Sequence, residues 1–243
     1  MPLCRFLASA LLSASASLYA VTAESVYAES AKLFAFDNLR FSVHSSIEND
    51  SSVKERDFIV AKESKSGDSS LLIRFGNPND IRCTAILVCN DGEETTNYLY
   101  FPALNRVRII AQHEEESEVI GLGISYSELD AKGGEFAPLE EIAIDGTRYF
   151  KVTKKRGNTR SVYFIDMATS IIKKIEVYTA GKLQKEVVIE QVTQVNQRDL
   201  IVKWHVNDLK KNKRLFYRID EESISSKLTP SLFYKNRLQR CIF

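Results

Sequence analysis

The chain has 243 residues, 44% of them apolar and 27% charged, with 33 basic side chains against 32 acidic ones. That apolar share excludes wholesale disorder. A formal charge of +1 removes the electrostatic case for nucleic-acid binding, and 10 glycines and 5 prolines exclude collagen-like or low-complexity sequence.

The N-terminus departs from this average. Met1–Arg5 carries one basic side chain, and Phe6–Val21 is an uncharged run of 16 residues rich in Ala, Leu and Ser. Val21-Thr22-Ala23 then precedes Glu24, the first acid. This is the layout of a secretory signal peptide over residues 1–23. The run is short for a membrane span of about 20 residues. No cysteine follows it closely, so no lipid-attachment box is visible. The expectation is a cleaved signal and a soluble, exported domain over residues 24–243. Cleavage removes Arg5, the surplus positive charge, and leaves the mature chain formally neutral.

Glu24–Leu39 reads as one amphipathic helix, because Val26, Tyr27, Leu33 and Phe34 recur seven residues apart on one face. From Phe41 onward the period changes to two. Strands are predicted near Arg40–Glu48, Lys54–Glu63, Ser70–Phe75, Ile81–Cys89, Thr95–Phe101 and Arg106–Ala111. Further strands fall near Arg148–Lys155, Arg160–Asp166, Ile171–Thr179, Leu183–Thr193, Leu200–Val206 and Lys213–Asp220. Turn residues separate them, as at Lys65-Ser66-Gly67-Asp68, Asn90-Asp91-Gly92, Arg156-Gly157-Asn158 and Ala180-Gly181. The late strands alternate most clearly: Leu200, Val202, Trp204 and Val206 face one way, and Ile201, Lys203, His205 and Asn207 the other. That is antiparallel sheet with one dry and one wet face. A dozen strands and one helix make a mainly β, α+β outline, and a sheet of that size curls or closes.

Three cysteines remain after the signal. Cys83 and Cys89 on one strand would stand about 20 Å apart, too far for a mutual disulfide, which needs Cα atoms within about 7 Å. A bridge from either to Cys241 stays open; the simpler expectation is that at least two of the three are buried apolar fillers.

Chemistry-bearing patterns are sparse. His44, His113 and His205 show no metal-ligand spacing. Gly121-Leu122-Gly123 is too short for a dinucleotide fingerprint. There is no nucleophile elbow or phosphate loop. Glu140-Glu141 and Glu221-Glu222 are adjacent, so on a strand they point to opposite faces. Glu114–Glu118 reads as a solvated loop. No catalytic residue, metal or cofactor is expected. One charge run is uneven: Lys203, Lys210, Lys211, Lys213, Arg214 and Arg218 stand against Asp208 alone. It reads either as a solvated, edge-protecting strand and turn or as a docking patch for an acidic partner or a lipid headgroup.

The most specific stretch is Tyr98–Leu129, YLYFPALNRVRIIAQHEEESEVIGLGISYSEL. An aromatic strand with Tyr98, Tyr100, Pro102, Ala103 and Leu104 leads to Arg106 and Arg108. A turn with Gly121, Ser125, Tyr126, Glu128 and Leu129 follows, and the tail ends in a Phe233–Leu238 segment. This resembles the signature of the outer-membrane lipoprotein-sorting, LolA-like family of periplasmic proteins. Where that family commonly has Gly-Ser-Asp, this chain has Gly121-Leu122-Gly123. The resemblance implies an incomplete antiparallel β-barrel with an N-terminal helix and lid over an apolar cavity. Candidate cavity residues are Leu99, Phe101, Phe150, Val152, Val177, Trp204 and Tyr217, since in an open barrel the core-facing side is also the pocket. The implied function is a periplasmic carrier or chaperone for lipoprotein acyl chains or another lipid, making transient membrane contact. The alternative on the same fold is a non-transport sensor or interaction module with a cell-envelope protein partner.

Overall fold

The computed structural model describes residues 21–33, 36–92, 94–110 and 133–243. The expected signal over residues 1–20, Phe34, His113, Glu114–Glu118, Gly121, Ser125, Tyr126, Glu128 and Leu129 lie outside the described residues.

The expected N-terminal helix is present but shorter than its pattern suggests. Helix α1 spans Ala23–Ser30, and Ala31–Leu33 forms a tighter 3-10 turn. Thr22 caps α1, accepting the Ser25 N–H at 3.1 Å. The chain then straightens through Asn38, whose φ is +52°, and Leu39 already belongs to the first strand.

The rest is sheet. The strands are β1 (Leu39–Asn49), β2 (Ser52–Lys65), β3 (Asp68–Asn77), β4 (Ala85–Asp91), β5 (Glu94–Phe101), β6 (Arg106–Ile109) and β7 (Glu135–Phe136). They continue as β8 (Glu140–Ile144), β9 (Thr147–Arg156), β10 (Thr159–Asp166), β11 (Ile172–Thr179), β12 (Lys182–Val195), β13 (Arg198–Asp208) and β14 (Lys213–Ser225). All pair antiparallel in the order β6-β5-β4-β3-β2-β1-β14-β13-β12-β11-β10-β9-β7, with β8 also on β9. The two ends of this path do not pair, so the sheet stays open and is not closed into a barrel. Strands β7 and β8 are short and largely exposed, which is why the burial pattern did not announce them.

Register explains the two faces. One ladder runs Leu99–Ile86–Ile73–Val60–Phe41 across β5 to β1. A second runs Val152–Tyr163–Ile175–Val187–Val206–Leu215–Ile47 from β9 round to β1. Phe41 and Ile47 alternate onto the same side of β1, so both ladders share one face. That is the inner face. Helix α1 covers part of it, with Tyr27 edge-on to Tyr163 at 4.9 Å. Among the described residues no second sheet covers the remainder, so the curl of the sheet itself encloses it.

The outer face of β2–β5 is covered by the C-terminal segment. Leu232, Phe233 and Leu238 are buried there with Ala61, Leu72, Ala85, Leu87 and Tyr100. The buried Arg74 guanidinium donates to the carbonyls of Ile242 at 2.8 Å and Leu238 at 3.3 Å. A Cβ on Gly76 would stand 3.3 Å from the Phe243 ring, so the absence of a side chain there lets the tail lie close.

Three sequence expectations fail here. Ile81–Thr84 is a turn, with the Thr84 N–H on the Ile81 carbonyl at 2.9 Å, and β4 begins only at Ala85. Cys83 sits in that turn at φ +67° and is bonded to Cys241. Two of the three cysteines are therefore cross-linked rather than apolar fillers; Cys89 alone is free, and half-buried. The bridge was hidden because the apolar run looked like one strand. Ile201, placed on the wet face by alternation, is also buried, in the cluster beneath α1 with Leu33 and Ile189; the β12–β13 register shifts between Ile189 and Val192, so strict alternation does not run through it. The N-terminal 3-10 turn packs against β13 and covers it.

Candidate functional site, the inner face and its mouth

The seven candidate cavity residues all lie on the inner face. Leu99 and Tyr217 are buried in its larger apolar cluster, and Phe101 and Trp204 pack against that cluster. Val152 is buried in the cluster beneath α1, with Phe150 and again Trp204 against it. Val177 alternates with Ile175 onto the same face and is half-buried, but belongs to neither cluster. Trp204 and Val187 link the two groups; Trp204 is stacked on Tyr217 with ring centroids 4.9 Å apart and planes 9° from parallel.

The motif residues divide as strand alternation requires. Tyr98 and Tyr100 point outward and pack under the C-terminal segment with Phe233 and Leu238. The central motif and the tail motif, more than a hundred residues apart in sequence, are thus two sides of one outer cluster. Pro102 and Leu104 form a 3-10 turn that ends β5. Leu104 is 72% exposed. Arg106 and Arg108 follow on edge strand β6, with both side chains largely exposed.

At one end of the sheet the inner face opens into a cavity of about 430 Å³. Phe36, Leu39 and Leu200 form its apolar side, of which Phe36 and Leu200 continue into the larger cluster, while Lys32, Asp37 and Arg198 supply charge. None of the seven candidate residues lines this mouth. Its lining comes from the segment after α1 and from the β12–β13 turn, where Asn196 and Gln197 have φ of +51° and +62°. That turn carries no Gly or Pro, and the segment before β1 was absorbed into the helix pattern, so neither stood out in the sequence.

Asp37 organises the mouth. It accepts from Ser64 Oγ at 2.6 Å and pairs with Lys62 Nζ at 3.0 Å. Burial pushes its carboxyl up, but the Ser64 and Lys62 hydrogen bonds, with the charges of Lys62 and Arg198, outweigh that and hold it below its ordinary value of 3.8. A lowered carboxylate contributes stability above the ordinary value and loses it as pH falls through the folded one. The stability gap between wild type and Asp37→Asn is therefore full at neutral pH and shrinks below about pH 4. Denaturant midpoints measured across that range check this; a gap independent of pH contradicts it.

His44 and His205 stand elsewhere. His44 Nδ1 lies 2.8 Å from Asp57, and His205 Nδ1 lies 2.7 Å from Glu190, which also holds Lys203 at 2.7 Å. His205, expected to be merely solvated, is thus part of an outer-face charge network. Among the described residues no group of three or more His, Cys, Asp or Glu side chains could hold a metal ion. No helix among them is long and apolar enough to cross a membrane, a statement that does not extend to strands.

A family model described only as one of uncharacterized proteins matches residues 67–240. No curated protein matches the chain. Solved structures share its fold at low identity. A domain named for outer membrane lipoprotein sorting, from Vibrio parahaemolyticus, superposes with a TM-score of 0.79 at 19% identity, covering 90% of this chain and 98% of its own. A DUF1329 family protein from Desulfovibrio piger gives 0.77 at 16%, covering 89% and 98%. A LolA superfamily protein from Nitrosomonas europaea gives 0.72 at 16%, covering 89% and 99%. At such identities the likeness establishes the fold.

Proposed function

The chain belongs to that family of uncharacterized proteins, and we propose that it is a periplasmic carrier that shelters acyl chains, of lipoproteins or of another lipid, on its inner face. The observation that carries this reading is the pair of apolar ladders meeting on one curled face, open at a mouth of about 430 Å³. Removing acyl carbons from water against such a wall yields about 0.8 kcal/mol per CH₂, so a 16-carbon chain gains roughly 12 kcal/mol before the costs of binding. No acid, base or nucleophile is needed for that task.

Export supports the same reading. The signal-like N-terminus, with cleavage proposed after Ala23, directs the chain out of the cytoplasm. The Cys83–Cys241 bond suits an oxidising compartment. The Vibrio parahaemolyticus domain is named for outer membrane lipoprotein sorting, which agrees with an acylated cargo.

Mass spectrometry of the protein purified from its own host is the test. Retained lipid or lipidated peptide in stoichiometric amount is the expected result. A lipid-free protein that retains an envelope protein instead would favour the sensor reading and remove the carrier.

A further inference from the structure

In the basic run, Lys203, Arg214 and Arg218 alternate onto the outer face, and Lys210 and Lys211 stand on the β13–β14 turn. Four hairpin turns stand side by side at the end of the sheet opposite the mouth: β1–β2, β13–β14, β11–β12 and β9–β10. Hydrogen bonds tie each to the next. Asn212 donates to Asp50 at 2.7 Å, the Leu209 N–H to the Gln184 carbonyl at 2.9 Å, and the Ala180 N–H to the Asn158 carbonyl at 3.4 Å. The row is therefore one continuous rim rather than four separate loops.

Its chemistry is amphipathic. Lys210, Lys211, Lys182 and Arg156 are exposed along it. Asp50 and Asp208 are the acids at these turns; the Asp50 carboxylate already accepts from Asn212, and the buried Asp208 accepts the Lys211 N–H. Among these cations stand large apolar side chains left in solvent: Leu209 is 53% exposed and Val53 63%. Further along the same end, Leu104 at 72% exposure precedes Arg106. Scattered exposed leucines need no explanation. Exposed apolar side chains interleaved with lysine and arginine at one end of a molecule form a surface suited to anionic headgroups, the cations meeting phosphate and the apolar tips entering the interface.

We propose that this rim docks the protein on a bilayer containing anionic phospholipid. The attraction is local to the rim, because the chain as a whole is nearly neutral. The proposal does not depend on the carrier reading: the rim lies at the far end of the strands from the mouth and would place the protein on a membrane whatever the inner face holds.

Flotation with vesicles tests it. One set is phosphatidylcholine alone, and the other is phosphatidylcholine mixed with phosphatidylglycerol. The wild-type chain floats with the mixed vesicles, stays behind with phosphatidylcholine alone, and is released at high salt. Lys210→Glu with Lys211→Glu lowers mixed-vesicle binding by about tenfold or more, since each basic residue near an anionic surface contributes on the order of a fivefold change. Leu209→Asp lowers it independently. Both variants sit on an exposed turn, and matching melting curves show that they fold. Equal binding to both vesicle types, binding to neither, or variants that float like wild type would each overturn the proposal. Lipid left on the protein after the vesicles are removed reports cargo separately, so the rim and the inner face can fail independently.

Discussion

Replacing Cys241 with serine lowers the stability of the chain by about 2–5 kcal/mol and frees its last residues from the sheet. The bond joins the turn between β3 and β4 to the tail, 158 residues further on. A cross-link over so long a loop removes much freedom from the unfolded chain, which places the effect toward the upper part of that range in the loop-entropy account. The folded side of the balance adds to it. The tail brings Leu232, Phe233 and Leu238 onto the outer face of β2–β5, and its carbonyls receive the Arg74 guanidinium. Arg74 is 1% exposed, and its Nε has no partner. Without the tail, that cation and the apolar side chains around it meet water. Two readouts follow: a lower urea midpoint, and trypsin cleavage at Lys235, Arg237 and Arg240 under conditions that leave the sheet intact. Unchanged midpoint and unchanged protection of the tail would show that the bond does not hold it.

Trp204→Ala destabilises the fold by about 3 kcal/mol, the low end for truncating a large aromatic because the ring is only partly buried. Trp204 packs against both inner clusters, as does Val187, and its ring is stacked on Tyr217. Its removal takes contacts from β13, β14 and the region under α1 at once. Trp204→Phe keeps a ring over Tyr217 and loses less. Denaturant midpoints for the two variants rank them; a loss below about 1 kcal/mol for the alanine variant would mean that Trp204 does not join the clusters.

Much of the fold could be read from alternation. Leu200, Val202 and Val206 announce their burial because antiparallel sheet with one dry face leaves a period-two trace. The same rule sorted Tyr98 and Tyr100 from Leu99 and Phe101. It failed where a segment is apolar throughout. Ile81–Cys89 carries apolar residues at almost every position, so its first four residues passed for strand, and the cysteine in their turn was aimed along the wrong element. Alternation also says nothing about register shifts such as those in β12–β13 near Ile201, or about what packs on the wet side, as the tail does over Tyr100, so the burial of both was invisible. The candidate site was half legible. Its wall follows from strand periodicity, whereas its mouth comes from Lys32, Asp37 and Arg198, which meet only through the tertiary fold and have no shared sequence pattern. The row of hairpin tips is a case of the same kind: the basic run is plain in the sequence, but the exposed Leu209 and Val53 beside it are not.

The central claim is that the inner face takes an acyl chain, and the chain carries its own reporter for that. Trp204 is the only tryptophan among the 243 residues, and it lies on that face between the two clusters. Titration with a fatty acid brominated along its chain, which quenches indole emission on contact, reads occupancy directly. The account predicts saturable quenching of Trp204, reversed by the unlabelled acid. Emission that stays constant to the solubility limit of the probe would contradict it.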